Sequence, residues 1–198
     1  MAAFLREGQM YCNTVEFFQG HERDELRGDP YEGISHAWRL STHRLYIAHQ
    51  LIEEPEGRID IVRNADLKKN IFCLYAVRTD CPFIDHRNLK FGDTCVYIRN
   101  PPEFMRRVEI ALRDQQPRGC QIVHGGPVTY VDRKTHDGKV GPFTKFDSFA
   151  YQSEYRFVIS PGRGRPFSFQ IGSIEDIADT FESSMANRVF GFEGAEAV

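Results

Sequence analysis

The chain has 198 residues, of which 41% are hydrophobic and 27% charged, and its formal net charge is −3. These values are typical of one globular domain, and the acidic balance argues against a broad nucleic-acid footprint. The sequence contains no apolar run of membrane-spanning length. Its five cysteines are odd in number and widely spaced, so we expect a cytoplasmic protein without structural disulfides.

The first half of the chain predicts short strands separated by charged loops. The expected elements are a strand over 9–12, a helix over 15–21, a charged loop over 23–33 and a strand over 58–63. Residues 34–52 fit either a helix or, from Leu45 onward, a strand. Residues 70–77 are nearly all apolar, which predicts a central strand buried on both faces.

The second half predicts one long helix among further strands. Two prolines precede an apolar stripe over 103–114, which indicates an amphipathic helix packed through Phe104, Val108 and Leu112. We also expect strands over 91–98, 120–123, 128–131 and 166–171, a short helix over 174–181 and a flexible tail over 193–198. The predicted fold class is α+β: a single domain over 1–192 with a mixed, mostly antiparallel sheet, one main amphipathic helix and several short helices.

The most informative stretch is the strand predicted over residues 153–159, because its two faces differ in chemistry. Alternate side chains are apolar and predict a core face, while the intervening ones are polar. The polar side chains on and just before this strand are Lys145, Tyr151, Gln152, Glu154 and Arg156. One interpretation is a solvated face with a surface Arg–Glu pair, since structural ion pairs imitate functional sites. The other is a functional cleft in which Glu154 is the essential carboxylate.

The charged loop near the N-terminus is a candidate partner for this strand. Asp29 precedes a proline, and Glu32 follows Tyr31 in the same turn. A covered arginine needs an acceptor, so we expect Asp29 or Glu32 to lie within reach of Arg156 or Lys145.

These segments carry a family resemblance. The motifs are Asp29-Pro30-Tyr31-Glu32, Phe91-Gly92-Asp93-Thr94, Val128-x-Tyr130, and Lys145 followed by Gln152-x-Glu154-x-Arg156. In that order they resemble a group of uncharacterised bacterial and phage proteins marked by an N-D-P-[FY]-E turn and a late K…E-x-E-x-R segment. The chain departs from that pattern at Gly28 and at Gln152, where the group has Asn and often Glu. The resemblance implies a shared fold and site but no reaction.

A second resemblance is to mono-ADP-ribosyltransferases, which place a [QE]-x-E segment at the start of a strand, as Gln152-Ser153-Glu154 does here. It implies an NAD substrate, catalysis by Glu154 and an acceptor oriented by Gln152. Together with the predicted cleft and the charged loop, the candidate substrate-binding residues are Tyr151, Gln152, Arg156, Lys145, Arg27, Asp29, Tyr31 and Glu32. Tyr151 or Tyr31 would stack on nicotinamide, and Arg27, His36 or Arg39 would bind the dinucleotide.

Other chemistries receive less support from the sequence. The histidines are scattered, and no C-x-x-C or H-E-x-x-H motif is present, so we expect no metal site. A second class of function is a non-catalytic phage or mobile-element protein that binds and inhibits a host protein. A deep cleft around Glu154 would favour the enzyme, whereas exposed Phe and Tyr would favour the binding protein.

Overall fold

The computed structural model of the protein describes residues 2–20, 28–81, 83–115 and 121–192. The α-helices are α1 (Ala2–Glu7), α2 (Val15–Gly20), α3 (Asn64–Leu67), α4 (His86–Leu89), α5 (Pro101–Gln115) and α6 (Ala186–Val189). Short 3-10 helices cover Leu40–Thr42, Asp147–Gln152 and Ser183–Met185. Of the helices in these ranges, none is long and apolar enough to cross a membrane.

Strands make up most of the remaining regular structure, which gives the predicted α+β class. They are β1 (Gln9–Thr14), β2 (Ile34–Arg39), β3 (Leu45–Ile47), β4 (Gln50–Ile52), β5 (Arg58–Val62), β6 (Asn70–Tyr75), β7 (Thr94–Ile98), β8 (Gln121–Pro127), β9 (Thr129–Val131), β10 (Gly138–Lys139), β11 (Thr144–Phe146), β12 (Glu154–Ser160), β13 (Phe167–Gln170) and β14 (Ala178–Glu182).

A five-stranded antiparallel sheet organises the fold, in the order β13-β1-β6-β12-β8. β6 is its central strand, as the apolar run predicted. β12 pairs with β6 from Glu154 opposite Tyr75 to Ile159 opposite Asn70. Because β12 lies between two neighbours, its side chains alternate between the two faces of a well-paired sheet.

One face of this sheet carries the main hydrophobic core beneath α5. Phe104, Val108 and Leu112 are no more than 2% exposed, which confirms the predicted helix stripe. They pack with Phe157 and Ile159 of β12, and the ring centroids of Phe104 and Phe157 are 6.2 Å apart. The intervening residues of β12 are thereby directed to the opposite face.

A layer of smaller sheets covers that opposite face. It consists of the antiparallel sheet β10-β2-β5 and the parallel pair β9–β11. Its own small core is formed by Ile34, Ala37, Val140 and Phe146. Val158 of β12 packs with Val15 and Ile71 where the two layers meet. Glu154 and Arg156 lie between these layers.

Three sequence predictions for the strands need correction. The helix alternative for 34–52 is wrong, because β2 pairs with β5 and the rest forms the hairpin β3–β4, which turns at Ala48 and His49. β6 is not buried on both faces: β1 accompanies it only as far as Ile71, and Cys73 is exposed. The strand predicted over 91–98 begins only at Thr94.

Two further predictions fail because tertiary pairing overrides local pattern. No helix forms over 174–181. Instead, β14 pairs antiparallel with β7, and this pairing provides hydrogen-bond partners for the backbone N–H and C=O groups. A short isolated helix would be only marginally stable. The strand expected over 120–123 extends further than predicted, since β8 continues to Pro127. A Cβ at Gly125 would lie 2.7 Å from Met105 Cε and 3.0 Å from the Tyr155 hydroxyl, so these two side chains pack closely over this glycine. Residues 21–27, Cys120 and the tail 193–198 lie outside the described ranges.

Candidate functional site

The start of β12 is shaped by an unusual backbone turn. The 3-10 helix Asp147–Gln152 ends at Ser153, which adopts the left-handed conformation with φ 40° and ψ 52°. Left-handed residues other than glycine store strain and are concentrated at functional sites. The Ser153 Oγ donates to the Ala76 carbonyl at 2.8 Å, and the Ala76 N–H donates to the Ser153 carbonyl at 2.7 Å. These bonds hold the turn against β6.

Arg156 lies at the centre of a buried charged cluster, which we define as Asp29, Glu32, Lys145, Glu154 and Arg156. Its Nη1 and Nη2 donate to the two carboxylate oxygens of Glu32 at 2.8 and 2.6 Å. Its Nε donates to Glu154 Oε2 at 2.5 Å, and Nη1 also donates to the Pro142 carbonyl at 2.9 Å. The guanidinium therefore links the N-terminal loop to the start of β12.

Lys145 is the second cation of the charged cluster. Its Nζ donates to Gln152 Oε1 at 2.6 Å and to Glu154 Oε1 at 2.7 Å, and it lies 3.4 Å from Asp29 Oδ2. Gln152 was expected on the strand and instead ends the 3-10 helix. Its side chain still faces the same cation as Glu154, because the turn at Ser153 restores their common direction.

The N-terminal loop reaches the strand as expected. The Asp29 carboxylate accepts the N–H of Tyr31 at 2.9 Å, and the Asp29 carbonyl accepts the N–H of Glu32 at 2.9 Å. This compact turn directs both carboxylates inward, where Glu32 meets Arg156 and Asp29 meets Lys145. The predicted contact between loop and strand is confirmed.

The charged cluster is enclosed. The residues Asp29, Glu32, Lys145 and Arg156 are between 1% and 6% exposed, and the Glu154 side chain is 10% exposed. The interpretation as a solvated surface pair is therefore wrong. Three carboxylates face two cations, so the cluster holds an excess of negative charge when every member is ionised. Buried ion clusters contribute little net stability, because desolvation opposes the Coulomb attraction.

The carboxyl groups of Glu154 and Asp29 have pKa values shifted in opposite directions. Burial would raise the pKa of Glu154, but the charges of Arg156 and Lys145 outweigh it and lower the pKa to about 2. Burial raises the pKa of Asp29; Lys145 opposes the rise and the Glu32 carboxylate adds to it. Glu154 is therefore ionised at neutral pH, and of these two groups Asp29 holds a proton more readily.

The substitution Asp29→Asn should become more stable relative to wild type as the pH rises. The folded protein binds the Asp29 proton more tightly than the unfolded chain does. This tighter proton binding stabilises the wild-type fold fully below the pKa that Asp29 has in the unfolded chain. The stabilisation is lost as the pH rises through the pKa that Asp29 has in the folded protein. The difference in unfolding free energy should grow by about 1.4 kcal/mol for each unit of the pKa rise. Urea unfolding between pH 3 and 8 measures it.

The matched control for this experiment is Asp80→Asn. Asp80 is an exposed carboxylate whose pKa is lowered by its hydrogen bond to Arg78, so its pH dependence should have the opposite sign. An Asp29→Asn difference that stays flat across the pH range would contradict the raised pKa.

A further residue at the site is Tyr130. Its hydroxyl accepts the backbone N–H of Glu154 at 2.9 Å, and the parallel pairing of β9 with β11 places it beside Lys145. Burial raises the pKa of Tyr130 to about 12, so it remains a neutral phenol. In the sequence, only the short Val128-x-Tyr130 motif pointed to this residue, and that motif predicted no role for Tyr130.

The rings of Tyr151 and Tyr31, which were predicted to stack on nicotinamide, pack against other side chains. The Arg87 guanidinium lies 3.6 Å from the Tyr151 ring centroid, and Asn88 Nδ2 donates to the Tyr151 carbonyl at 2.6 Å. Tyr31 packs edge-on against Phe146 with centroids 5.2 Å apart. Both rings border the charged cluster through neighbouring residues, but neither stands beside Glu154 as an open stacking surface.

The residues suggested to bind the dinucleotide do not meet at the charged cluster. His36 and Arg39 both lie on β2, in the smaller three-stranded sheet. Arg27 lies outside the described ranges. None of the contacts described for the charged cluster involves His36 or Arg39.

The expected cleft at Glu154 is closed in this structure. A cavity of about 10 Å³ beside Glu32 has room for about one water molecule. A larger groove of about 450 Å³ lies between α5 and β13, and Glu154 is not among its lining residues. Within the described ranges, no group of three or more His, Cys, Asp or Glu side chains is arranged to hold a metal ion.

Comparison of the chain with protein-family models, with curated proteins and with solved structures gave no match in any of the three.

Proposed function

We propose that the protein is an enzyme that breaks the N-glycosidic bond of NAD or a related nucleotide, with Glu154 as its catalytic carboxylate. The observation that carries the proposal is the state of that carboxylate. It begins a paired strand of the central sheet, its side chain is only 10% exposed, and its pKa is lowered to about 2. An ionised carboxylate screened from water acts most strongly on positive charge that develops beside it.

The chemistry requires such a charge. When the bond between ribose C1′ and the nicotinamide nitrogen breaks, its electrons leave with nicotinamide and positive charge develops on the ribose. The two Glu154 oxygens offer about four acceptor positions, and Lys145 and Arg156 occupy one on each oxygen. Acceptor capacity thus remains for a ribose hydroxyl. The Gln152 amide would orient the nucleophile that forms the new bond at C1′.

The low pKa of Glu154 also restricts its role. A carboxyl group with a pKa of about 2 does not donate a proton near neutral pH, so Glu154 is not a general acid. Nicotinamide bound in NAD is already cationic and departs neutral, so its departure needs no proton. Electrostatic stabilisation is the role that fits both the group and the reaction.

Substrate contact requires the exposed edge of Glu154 to widen. Tyr75 lies opposite Glu154 on β6 and is half-buried, and Cys73, two residues earlier on β6, is exposed. We expect substrate to reach the carboxylate from this edge of the sheet.

The direct test is to incubate the purified protein with NAD and to follow free nicotinamide and ADP-ribose by chromatography. The proposal predicts release of nicotinamide above the rate with heat-denatured protein. No release, and no ADP-ribose attached to protein, would contradict it.

A second candidate function is the non-catalytic binding of a host protein, and one observation favours it. The hairpin β3–β4 exposes Tyr46 and Ile47 at 58% and Leu51 at 49%, and Tyr46 and Leu51 are cross-strand partners. Contiguous exposed apolar side chains on a monomer are typical of protein-interaction sites.

The two candidates make different predictions for the same variants. If binding is the function, the double substitution Tyr46→Ser with Leu51→Ser should abolish any growth effect of the protein in a bacterial host, while Glu154→Gln should preserve it. The reverse pattern would contradict the binding function. Circular dichroism of both variants verifies that the fold is retained.

A further inference from the structure

Unpartnered arginine nitrogens are concentrated at one place outside the charged cluster. In the described part of the chain, five buried side-chain nitrogen or oxygen atoms lack a hydrogen-bond partner. Four of them belong to Arg39, Arg58 and Arg133, which we call the arginine cluster. A buried charged donor without a partner is costly, so such a concentration indicates an acceptor that the protein itself does not supply.

Strand register brings two of these arginines together. Arg39 of β2 and Arg58 of β5 are directly paired antiparallel residues, so their side chains lie on the same face of the sheet. Like charges directly opposite each other destabilise a sheet. Asp60 also lies on β5, two residues after Arg58. Its Oδ1 is 3.8 Å from Arg58 Nε, which is beyond hydrogen-bond range.

Arg133 completes the cluster from the loop after β9. Its guanidinium lies 4.4 Å from the Tyr31 ring centroid and 5.7 Å from that of Phe146, and Arg58 lies 5.9 Å from the same Phe146 ring. A guanidinium stacked on an aromatic ring keeps its in-plane N–H groups free to donate. The Arg133 side chain is 41% exposed, so the cluster opens to solvent on this side.

The local charge balance favours an anion. The described contacts of the three arginines with carboxylates involve Asp60 and Asp137. Asp60 is 3.5 Å from Arg133 Nη2, while Asp137 is already engaged by the Arg39 backbone N–H and the Thr42 hydroxyl. Positive charge and unused donors therefore remain.

We propose that Arg39, Arg58 and Arg133 form a binding site for a phosphate-bearing small ligand. A phosphate group carries up to two negative charges and three acceptor oxygens, which match several guanidinium forks better than a single carboxylate does. Tyr31 and Phe146 belong to the same segments as Glu32 and Lys145. The arginine cluster therefore adjoins the charged cluster, but the inference does not depend on catalysis by Glu154.

The test is calorimetric titration of the full chain with pyrophosphate, ADP and NAD at fixed ionic strength. The variant is Arg133→Gln, because the Arg133 guanidinium makes only a long hydrogen bond of 3.5 Å to Asp60 among the described residues, and its side chain is 41% exposed. The matched control is Arg99→Gln, which removes an exposed arginine paired with Asp179 on another part of the surface. Binding should weaken about tenfold or more in Arg133→Gln and remain unchanged in Arg99→Gln.

Arg58→Lys provides a second variant that keeps the charge but loses the planar fork. Arg58 Nη1 also donates hydrogen bonds to the backbone carbonyls of Arg133 and His136. Urea unfolding therefore verifies that the Arg58→Lys variant is folded before it is titrated. Weaker pyrophosphate binding in both cluster variants supports the site. If ADP or NAD binds more tightly than pyrophosphate, and this binding depends on Arg133, the phosphate recognised by the site belongs to a nucleotide. Absence of saturable binding to all three probes, or equal weakening in Arg99→Gln, would overturn the proposal.

Discussion

Replacing Arg156 by methionine is expected to lower the free energy of unfolding by about 3–5 kcal/mol. Arg156 is 1% exposed and makes both hydrogen bonds to the Glu32 carboxylate. Without it, the nearest described cation to Glu32 is Lys145, 3.9 Å away. Three carboxylates, those of Asp29, Glu32 and Glu154, would then share one buried ammonium, and the uncompensated buried charge dominates the cost.

Urea unfolding monitored by circular dichroism measures this loss. Arg99→Met is the matched control, because it removes an arginine from an exposed pair with Asp179 and should change stability by less than about 1 kcal/mol. A loss in Arg156→Met no larger than that of the control would mean that the charged cluster is solvated in solution.

The fold class and the meeting of loop and strand follow from the sequence because each rests on a short-range rule. Alternation along β12 separates Phe157 from Arg156, and a covered arginine requires an acceptor. The turn Asp29-Pro30-Tyr31-Glu32 offered two carboxylates beside a proline and an aromatic residue, in a charged loop that could fold inward. Their contact could therefore be predicted without knowing the topology.

The closure of the site could not be predicted, because it depends on contacts between distant segments. The parallel pair β9–β11 places Tyr130 against the Glu154 backbone, and the carbonyl of Pro142 lies against the Arg156 guanidinium. The arginine cluster was missed for the same reason. Arg39 and Arg58 are far apart in sequence, and only the register between β2 and β5 makes them neighbours.

Replacing Glu154 by glutamine should reduce the rate of nicotinamide release by about a hundredfold or more. Glutamine preserves the size of the side chain and can still accept a hydrogen bond from Lys145 or Arg156, but it carries no charge to stabilise the developing ribose cation. Because the carboxylate is held ionised by two cations, its loss removes a fixed charge from a nearly water-free site.

The measurement that tests the central claim most directly is the rate of nicotinamide release by Glu154→Gln, compared with wild type and with Glu103→Gln. Glu103 is a carboxylate of α5 that pairs with Arg106 and Arg107, away from the charged cluster. With unfolding curves showing that both variants are folded, we predict a loss of about a hundredfold in Glu154→Gln and an unchanged rate in Glu103→Gln. Equal rates in all three proteins would contradict a catalytic role for Glu154.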